Sequence, residues 1–180
     1  MHQTQFIERL TKRSQKDLYI IAIEGLCGSG KSVFAQKIYQ RFGGIVIHMD
    51  DFCLPINQRR DEIAGHIDFQ RFQDEILTPL SEGKDLNYHI FDCQHQTYHL
   101  CHQAYAPLVI IEGSYCMHPC LQVDYDVRCF VETDEEIRMQ RLKEREKDYF
   151  ETFVAVWQKK EMDYHQAYSI SQHCNVLIKG

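Results

Sequence analysis

No run of about 18 uninterrupted apolar residues occurs in the sequence, and that is roughly the length a helix needs to span a membrane. The segment Met1 to Lys16 is also too polar for a secretory signal, so the expected location is cytoplasmic, with no membrane partner. A basic surplus is missing as well. The 20 Lys and Arg are outnumbered by 26 Asp and Glu, for a formal net charge of -6, which argues against the basic face that a nucleic-acid partner selects. Among eight cysteines, at 27, 53, 93, 101, 116, 120, 129 and 174, there is no C-x-x-C pair. They are read as reduced thiols, several packing as small apolar groups inside strand-like runs. Internal repeats and low-complexity tracts are absent too, so residues 1–180 are expected to form one domain, with 44% hydrophobic content to fill its core. The oligomeric state is open, a homo-oligomer included.

What the chain does have is an alternation of short Val- and Ile-rich runs with amphipathic stretches, the pattern of a parallel sheet covered on both faces. Strands are predicted at Leu18–Ile23, Gly44–Met49, Leu108–Ile111, Val127–Val131 and Asn175–Ile178. Helices are predicted at Gln5–Ser14, Lys31–Arg41, Phe69–Ser81, Asp134–Lys147 and Tyr149–His165. Thr133 and Glu136 have the spacing of a capping box for the fourth helix. Phe150, Phe153, Val154, Trp157 and Tyr164 recur at helical spacing in the last one and are taken as a core-facing stripe. The polar loop from Pro55 to Gly65 is the segment expected to move.

Between the first strand and the second helix stands Gly25-Leu26-Cys27-Gly28-Ser29-Gly30-Lys31-Ser32, a complete G-x-x-x-x-G-K-S phosphate loop in the strand–loop–helix context that gives the motif its meaning. Its amides and the helix N-terminus are expected to cradle nucleotide phosphates, with Val33 just beyond. Lys31 is expected to reach the β and γ phosphates, and the Ser32 hydroxyl to ligate Mg2+. Cys27, inside an electropositive loop, is expected to ionise easily and to block phosphate binding when modified.

Acids follow at strand ends, where open α/β sheets gather ligands. Of Asp50 and Asp51, only one is expected to face the cleft directly, and Asp50 is chosen as the group that accepts a hydroxyl proton and holds water around magnesium. Either could instead be a cap or turn residue. Glu112, after Leu108–Ile111, is the candidate for the magnesium water shell. Arg138, Arg141 and Arg145, at i, i+3 and i+7, put three guanidinium groups on one helical face, either as an anion clamp or as solvated ion pairs with Glu144, Glu146 and Asp148. Cys93 to His102 contains two thiols and three imidazoles, but its spacing fits no standard zinc pattern and its alternation reads as a β-ribbon or edge strand.

In order along the chain, the phosphate loop, Asp50-Asp51-Phe52, Ile67-Asp68-Phe69, Phe91-Asp92-Cys93, Ile111-Glu112-Gly113 and the arginines at 138–145 resemble the uridine kinase-like group of P-loop kinases, whose relatives include pantothenate kinases and phosphoribulokinases. The resemblance runs from about Leu18 to Tyr164. It implies a three-layer α/β P-loop fold with a five-stranded parallel sheet, and transfer of the γ-phosphate of ATP, with Mg2+, to a hydroxyl of a small polar acceptor, a nucleoside such as uridine or cytidine first. By the resemblance Asp50 is the catalytic aspartate with Asp51 beside the acceptor, and Asp68 contacts the acceptor's ribose. Phe91 and Gln96 stand where the family has a tyrosine and a base-contacting histidine. It further makes 54–105 the acceptor-binding region and 134–150 the lid, with Arg141 and Arg145 catalytic and Arg138 on the nucleotide. The family's adenine-holding loop follows the fifth strand, and here Gly180 comes almost directly after it, so weaker base contacts are expected. Other small alcohols, such as pantothenate or a sugar derivative, and a regulatory ATPase in which Asp50 orients water, are the alternatives.

Overall fold

The computed structural model describes residues 1–10 and 17–180. Its centre is a five-stranded sheet in the order β2-β5-β1-β6-β7, formed by β1 (Tyr19–Glu24), β2 (Ile45–His48), β5 (Leu108–Glu112), β6 (Val127–Glu132) and β7 (Val176–Lys179). Every pairing is parallel. Parallel strands need crossovers, so both faces must be covered, and the strands supply apolar side chains to both. Along β1, Ile20 and Ala22 join one core with Ile47, Val109 and Ile111. Ile21 and Ile23, pointing the other way, join a second core with Phe34, Ile38, Ile110 and Cys129. Each such buried aliphatic side chain contributes about 1.5–3 kcal/mol relative to an exposed one, which is why these runs read as nearly continuous hydrophobic stretches.

The second core is closed by α1 (Gln3–Leu10) through Phe6 and Leu10, and by α2 (Lys31–Phe42). Helix α1 starts two residues earlier than expected, and the predicted continuation to Ser14 lies outside the described residues. The first core is closed by the segment 69–81, where α3 (Phe69–Phe72) and α4 (Thr78–Ser81) are joined through a π-helical turn at Gln73–Leu77. A separate two-stranded antiparallel hairpin, β3 (Leu86–Asp92) with β4 (Thr97–Gln103), packs beside it. The ribbon expected at Cys93 to His102 is therefore its turn and second strand.

Two expectations about the C-terminal helices need correction. Helix α5 (Glu135–Glu146) begins after Asp134, and no side chain caps it; the Thr133 hydroxyl donates instead to the Ser29 carbonyl, 2.8 Å away. The phosphate loop offers Thr133 an acceptor, so the capping box does not form. The helix after it is not one regular stripe. A 3-10 turn at Lys147–Tyr149 leads into α6 (Phe150–Phe153), a π-helical turn at Val154–Gln158 and α7 (Lys159–Ala167). Tyr164 is core, but Phe153 and Trp157 face a cavity. A π turn rotates the residues before it relative to those after it, and such turns recur at functional sites. Among the described residues no helix is long and apolar enough to cross a membrane.

Candidate active site

Because all five strands are parallel, their carboxyl ends lie on one side, and the groups they deliver converge there. β1 ends at Glu24 and turns directly into the phosphate loop. Gly25 has φ 145°, and a Cβ there would meet the Val131 carbonyl oxygen at 2.5 Å; at Gly28, φ 78°, it would meet the Arg138 carbonyl oxygen at 2.8 Å. Only glycine allows the loop to press this closely against β6 and α5. The Lys31 ammonium donates to the carbonyls of Gly25 (2.7 Å) and Leu26 (3.2 Å), holding it folded across the loop.

Helix α5 braces the loop from outside. Arg138 is 5% exposed and donates to the Cys27 carbonyl at 3.2 Å; Arg141 donates to that of Gly28 at 3.1 Å. Arg141 and Arg145 line the cavity and Arg138 does not. The expected three-arginine clamp is thus divided: two guanidinium groups face the cavity, and Arg138 shapes the loop from behind.

β2 and β5 pair with His48 opposite Glu112. This register brings the His48 Nδ1 to 2.5 Å from Glu112 Oε1, and the same oxygen accepts from the Ser32 hydroxyl at 2.9 Å. The bonded carboxylate raises the His48 pKa against its partial burial. β2 stops at His48, and Met49–Phe52 form a 3-10 turn. One residue of such a turn rotates a side chain by about 120°, so Asp50 enters the cavity and Asp51 does not. The cleft side was expected for Asp50 from strand alternation, whereas it is the turn that separates the two acids. Asp50 reaches the cavity solvent yet is ringed by protein, and its pKa is raised by that burial and by the Glu112 charge, with Lys31 opposing. Asp51 is raised to about 6, chiefly by burial.

Ser32, Asp50 and Glu112 therefore share one cavity. Two carboxylates and a hydroxyl are hard oxygen donors of the kind magnesium takes, with phosphate oxygens and water completing the shell. Among the described residues no three His, Cys, Asp or Glu side chains form a ready metal cluster, at the Cys93–His102 turn or elsewhere.

Glu161 is a site residue the sequence reading missed. It is 4% exposed, and its carboxylate accepts from the Cys27 amide (2.8 Å), the Cys27 thiol (3.0 Å) and the Ser114 hydroxyl (2.5 Å). A helix 134 residues downstream thus supplies the anion that the loop amide and the end of β5 both bind. This overturns the expectation for Cys27. Burial first, then the Glu161 charge, push its thiol well above the ordinary range, so it is held protonated. Cys93, by contrast, is exposed, and its thiol is brought down to about 7 by its hydrogen bond with Cys53, with Arg59 adding to the effect.

The residues expected to hold the acceptor lie elsewhere. Phe91, in β3, is buried in the core, its ring tilted against that of Tyr98 with centroids 4.9 Å apart. Gln96 sits at the exposed hairpin turn, donating to the Cys93 carbonyl and accepting from the Ile56 amide. Asp68 is the N-cap of α3, accepting from the Arg71 amide at 3.0 Å and paired with the Arg71 guanidinium. None of the three lines the cavity, because each is occupied by structural bonds or packing. The 55–65 loop is likewise closed on itself. Cys53 bridges Ile67 at its base, the Leu54 amide donates to the His66 carbonyl at 2.7 Å, and Arg60 and Gly65 are bonded.

The cavity, which has a volume of ≈ 560 Å³, is lined instead by Cys53, His66, Cys93 and Tyr115 with Tyr149, Phe153 and Trp157, beside the loop residues. Of the region 54–105 only His66 and Cys93 take part, while 141–161 provides a whole side.

No family model matches the sequence. Solved structures do match in fold. A possible uridine kinase from Bacillus stearothermophilus superposes with a TM-score of 0.75 at 17% identity, covering 98% of this chain and 96% of that one. A candidate fructose transport system kinase from Silicibacter sp. TM1040 superposes with a TM-score of 0.76 at 20% identity, covering 98% of both chains. Likeness at this identity extends to the fold alone: an α/β fold with a five-stranded parallel sheet flanked by helices.

Proposed function

We propose that this chain, with the fold of the uridine kinase-like P-loop kinases, is an ATP-dependent small-molecule kinase that moves the γ-phosphate onto a hydroxyl of a nucleoside or another small alcohol such as a sugar. The observation that carries the reading is the convergence of Lys31, Asp50 and the Ser32–Glu112 pair in a single cavity that aromatic side chains also line. The fold likeness to a possible uridine kinase and a candidate fructose transport system kinase supports it.

In this reading the loop amides and Lys31 hold the phosphates, and Arg141 and Arg145 meet the charge that spreads over the transferring group. Asp50 lies within the same cavity and accepts the proton of the attacking hydroxyl as the new bond to phosphorus forms. Its raised pKa suits that role, since a carboxylate closer to neutrality is the stronger base and takes the proton more readily than an ordinary one. Ser32, Glu112 and Asp50 would hold magnesium, which when bound supplies neutralisation of the phosphate charge. Catalysis is then mostly positioning and electrostatics, with the aromatic wall excluding water from the reacting hydroxyl.

The experiment is ATP turnover with magnesium against uridine, cytidine, pantothenate, D-ribose and D-fructose, beside Asp50→Asn and a control without acceptor. Acceptor-dependent ADP release that collapses in Asp50→Asn is the expected result. ATP hydrolysis at the same rate with and without every acceptor would overturn the kinase reading in favour of a regulatory ATPase.

A further inference from the structure

Seven buried polar side-chain atoms have no hydrogen-bond partner among the described residues: Ser29 Oγ, His66 Nδ1, Arg71 Nε, Tyr115 Oη, His118 Nε2 and both ring nitrogens of His165. Buried polar groups are nearly always bonded, so each such atom calls for an explanation. Two of them belong to residues that line the cavity, His66 and Tyr115, and those two touch each other. Their rings meet edge-on with centroids 4.9 Å apart, and the other side of His66 meets Trp157 at 5.0 Å. His66 is 4% and Tyr115 3% exposed.

Tyr115 carries a second mark. It has φ 78°, in the left-handed region that a bulky residue enters only when its surroundings impose it. The strain comes just after Glu112-Gly113-Ser114, so the same turn that ends β5 at the metal-type acids also sets the phenol in the cavity lining. Strain of this kind gathers at ligand sites, where a side chain must be aimed against its backbone preference.

We propose that His66, Tyr115 and Trp157 form the acceptor subsite, taking a neutral sugar ring that packs on the Trp157–Phe153 wall, bonds the Tyr115 hydroxyl and His66 Nδ1 through its own hydroxyls, and presents one hydroxyl to Asp50. The inference rests on the kinase reading for what happens at Asp50, but not for the binding itself. A flat, partly apolar ring face suits an aromatic wall, and hydroxyls return the two missing hydrogen bonds. Arg59 and Lys160 lie 5.5 and 5.3 Å from the Trp157 ring centre, and Arg145 5.4 Å from that of Phe153, which disfavours a cationic group against the aromatic wall, while Asp50, Glu112, Glu146 and Glu161 line the same cavity. Burial and the same Arg59 and Lys160 charges bring His66 down to about 4, so it meets the ligand as a neutral imidazole. The ring comes either as a free monosaccharide or as the ribose of a nucleoside.

Trp157 is the sole tryptophan of the chain, so its fluorescence reads the subsite without any turnover. The test titrates the wild-type protein, with magnesium and ADP present, with D-fructose, D-ribose, uridine and cytidine, and with pantothenate as the open-chain anionic alcohol, and runs phosphorylation assays in parallel. A saturable fluorescence change with a cyclic polyol is expected. Tyr115→Phe, which keeps ring and fold, is expected to weaken it and raise the acceptor KM about tenfold with kcat little changed, whereas Gln96→Ala leaves both as in wild type. Saturation by uridine or cytidine alone identifies the nucleoside source, and saturation by a free sugar the other. Phosphorylation of any alcohol with no Trp157 response and an unchanged KM in Tyr115→Phe would overturn the subsite and leave the kinase standing. A preference for pantothenate overturns the ring class. A saturable response to a cyclic polyol without phosphorylation supports the subsite and removes the kinase reading, and silence in both assays removes both.

Discussion

The two ends of the cavity are built by opposite means. At the phosphate end the contacts are largely backbone: contiguous loop residues, with Lys31, Arg138 and Arg141 donating to carbonyls of residues 25–29 and Glu161 accepting from a loop amide. At the proposed acceptor end the wall is drawn from scattered positions, 53, 66, 93, 115, 153 and 157, with polar atoms of His66 and Tyr115 left without partners among the described residues. A phosphate carries the same oxygens whatever molecule bears it, so a backbone cradle serves it. An acceptor has to be told from its analogues, which calls for particular side chains and unpaired groups that only the right ligand satisfies.

The comparison can be broken most severely at the phosphate end. Lys31→Ala is expected to lower kcat by about 10³-fold while leaving Trp157 fluorescence responsive to the acceptor, as measured by coupled ATP turnover and titration on one preparation. Activity within tenfold of wild type would show that the ends do not divide the work this way. The same assay run against pH should lose activity on the acid side above the usual carboxylate range, because Asp50 must be ionised to take the proton and its pKa is raised; a limb near the ordinary carboxylate value would contradict that.

A smaller but still large effect is expected where the two ends are tied. Glu161→Ala leaves the Cys27 amide and thiol without their acceptor and the Ser114 hydroxyl with only the longer bond to the Gly25 carbonyl, a loss on the order of 3 kcal/mol. Thermal melting should fall by roughly 8 °C in consequence. An unchanged melting temperature would mean that water replaces the carboxylate and that α7 is not fastened to the loop.

At the end of β1, just before the loop, lies Glu24, fully buried, bonded by the Tyr164 hydroxyl at 2.8 Å and raised to about 7 by burial. The folded chain prefers its protonated form, so its contribution to stability is complete below the ordinary value of 4.5 and is lost as pH rises through about 7. Over that window it is worth on the order of 3 kcal/mol. Asp51 acts in the same direction to a lesser degree. His66 and His165, both brought to about 4 by burial, act oppositely, losing stability as pH falls from 6.5 toward 4. Melting curves at about pH 5.5 and 8 should therefore separate wild type from Glu24→Gln: in wild type the Glu24 loss offsets the histidine gain as pH rises, so the variant gains more stability from about pH 5.5 to 8 than wild type does; parallel curves would place the proton elsewhere.

The mildest probe sharpens the contrast without changing a residue. Brief iodoacetamide treatment should label Cys93 at the acceptor end well before Cys27 in the loop, as read by peptide mass mapping, since the first thiol is lowered to about 7 and the second is held protonated by burial and Glu161. Equal labelling would contradict the assignment of Glu161 as the loop's anion.

Much of the first end was legible beforehand. The eight-residue motif places the loop, and the acids after the second and third predicted strands fall beside it because parallel strands end on the same side. The capping box misled because Thr133 had a better acceptor in the loop, and the stripe at 150–164 misled because a π turn at Val154–Gln158 divides it. His48 could have been found only from the pairing that sets it opposite Glu112. Phe91, Gln96 and Asp68 were assigned by resemblance, and packing, a hairpin turn and a helix cap have taken them out of the cavity.

By itself the sequence determined the three-layer α/β fold and the phosphate loop, since hydrophobic period and glycine conformation act over a few neighbouring residues. Only the tertiary structure decided that Glu161 enters that loop, that Arg138 turns away from the cavity, and that His66, Tyr115 and Trp157 meet across it. Those last three positions are up to 91 residues apart in the chain, and what joins them is side-chain packing between elements, which has no period in the sequence to announce it.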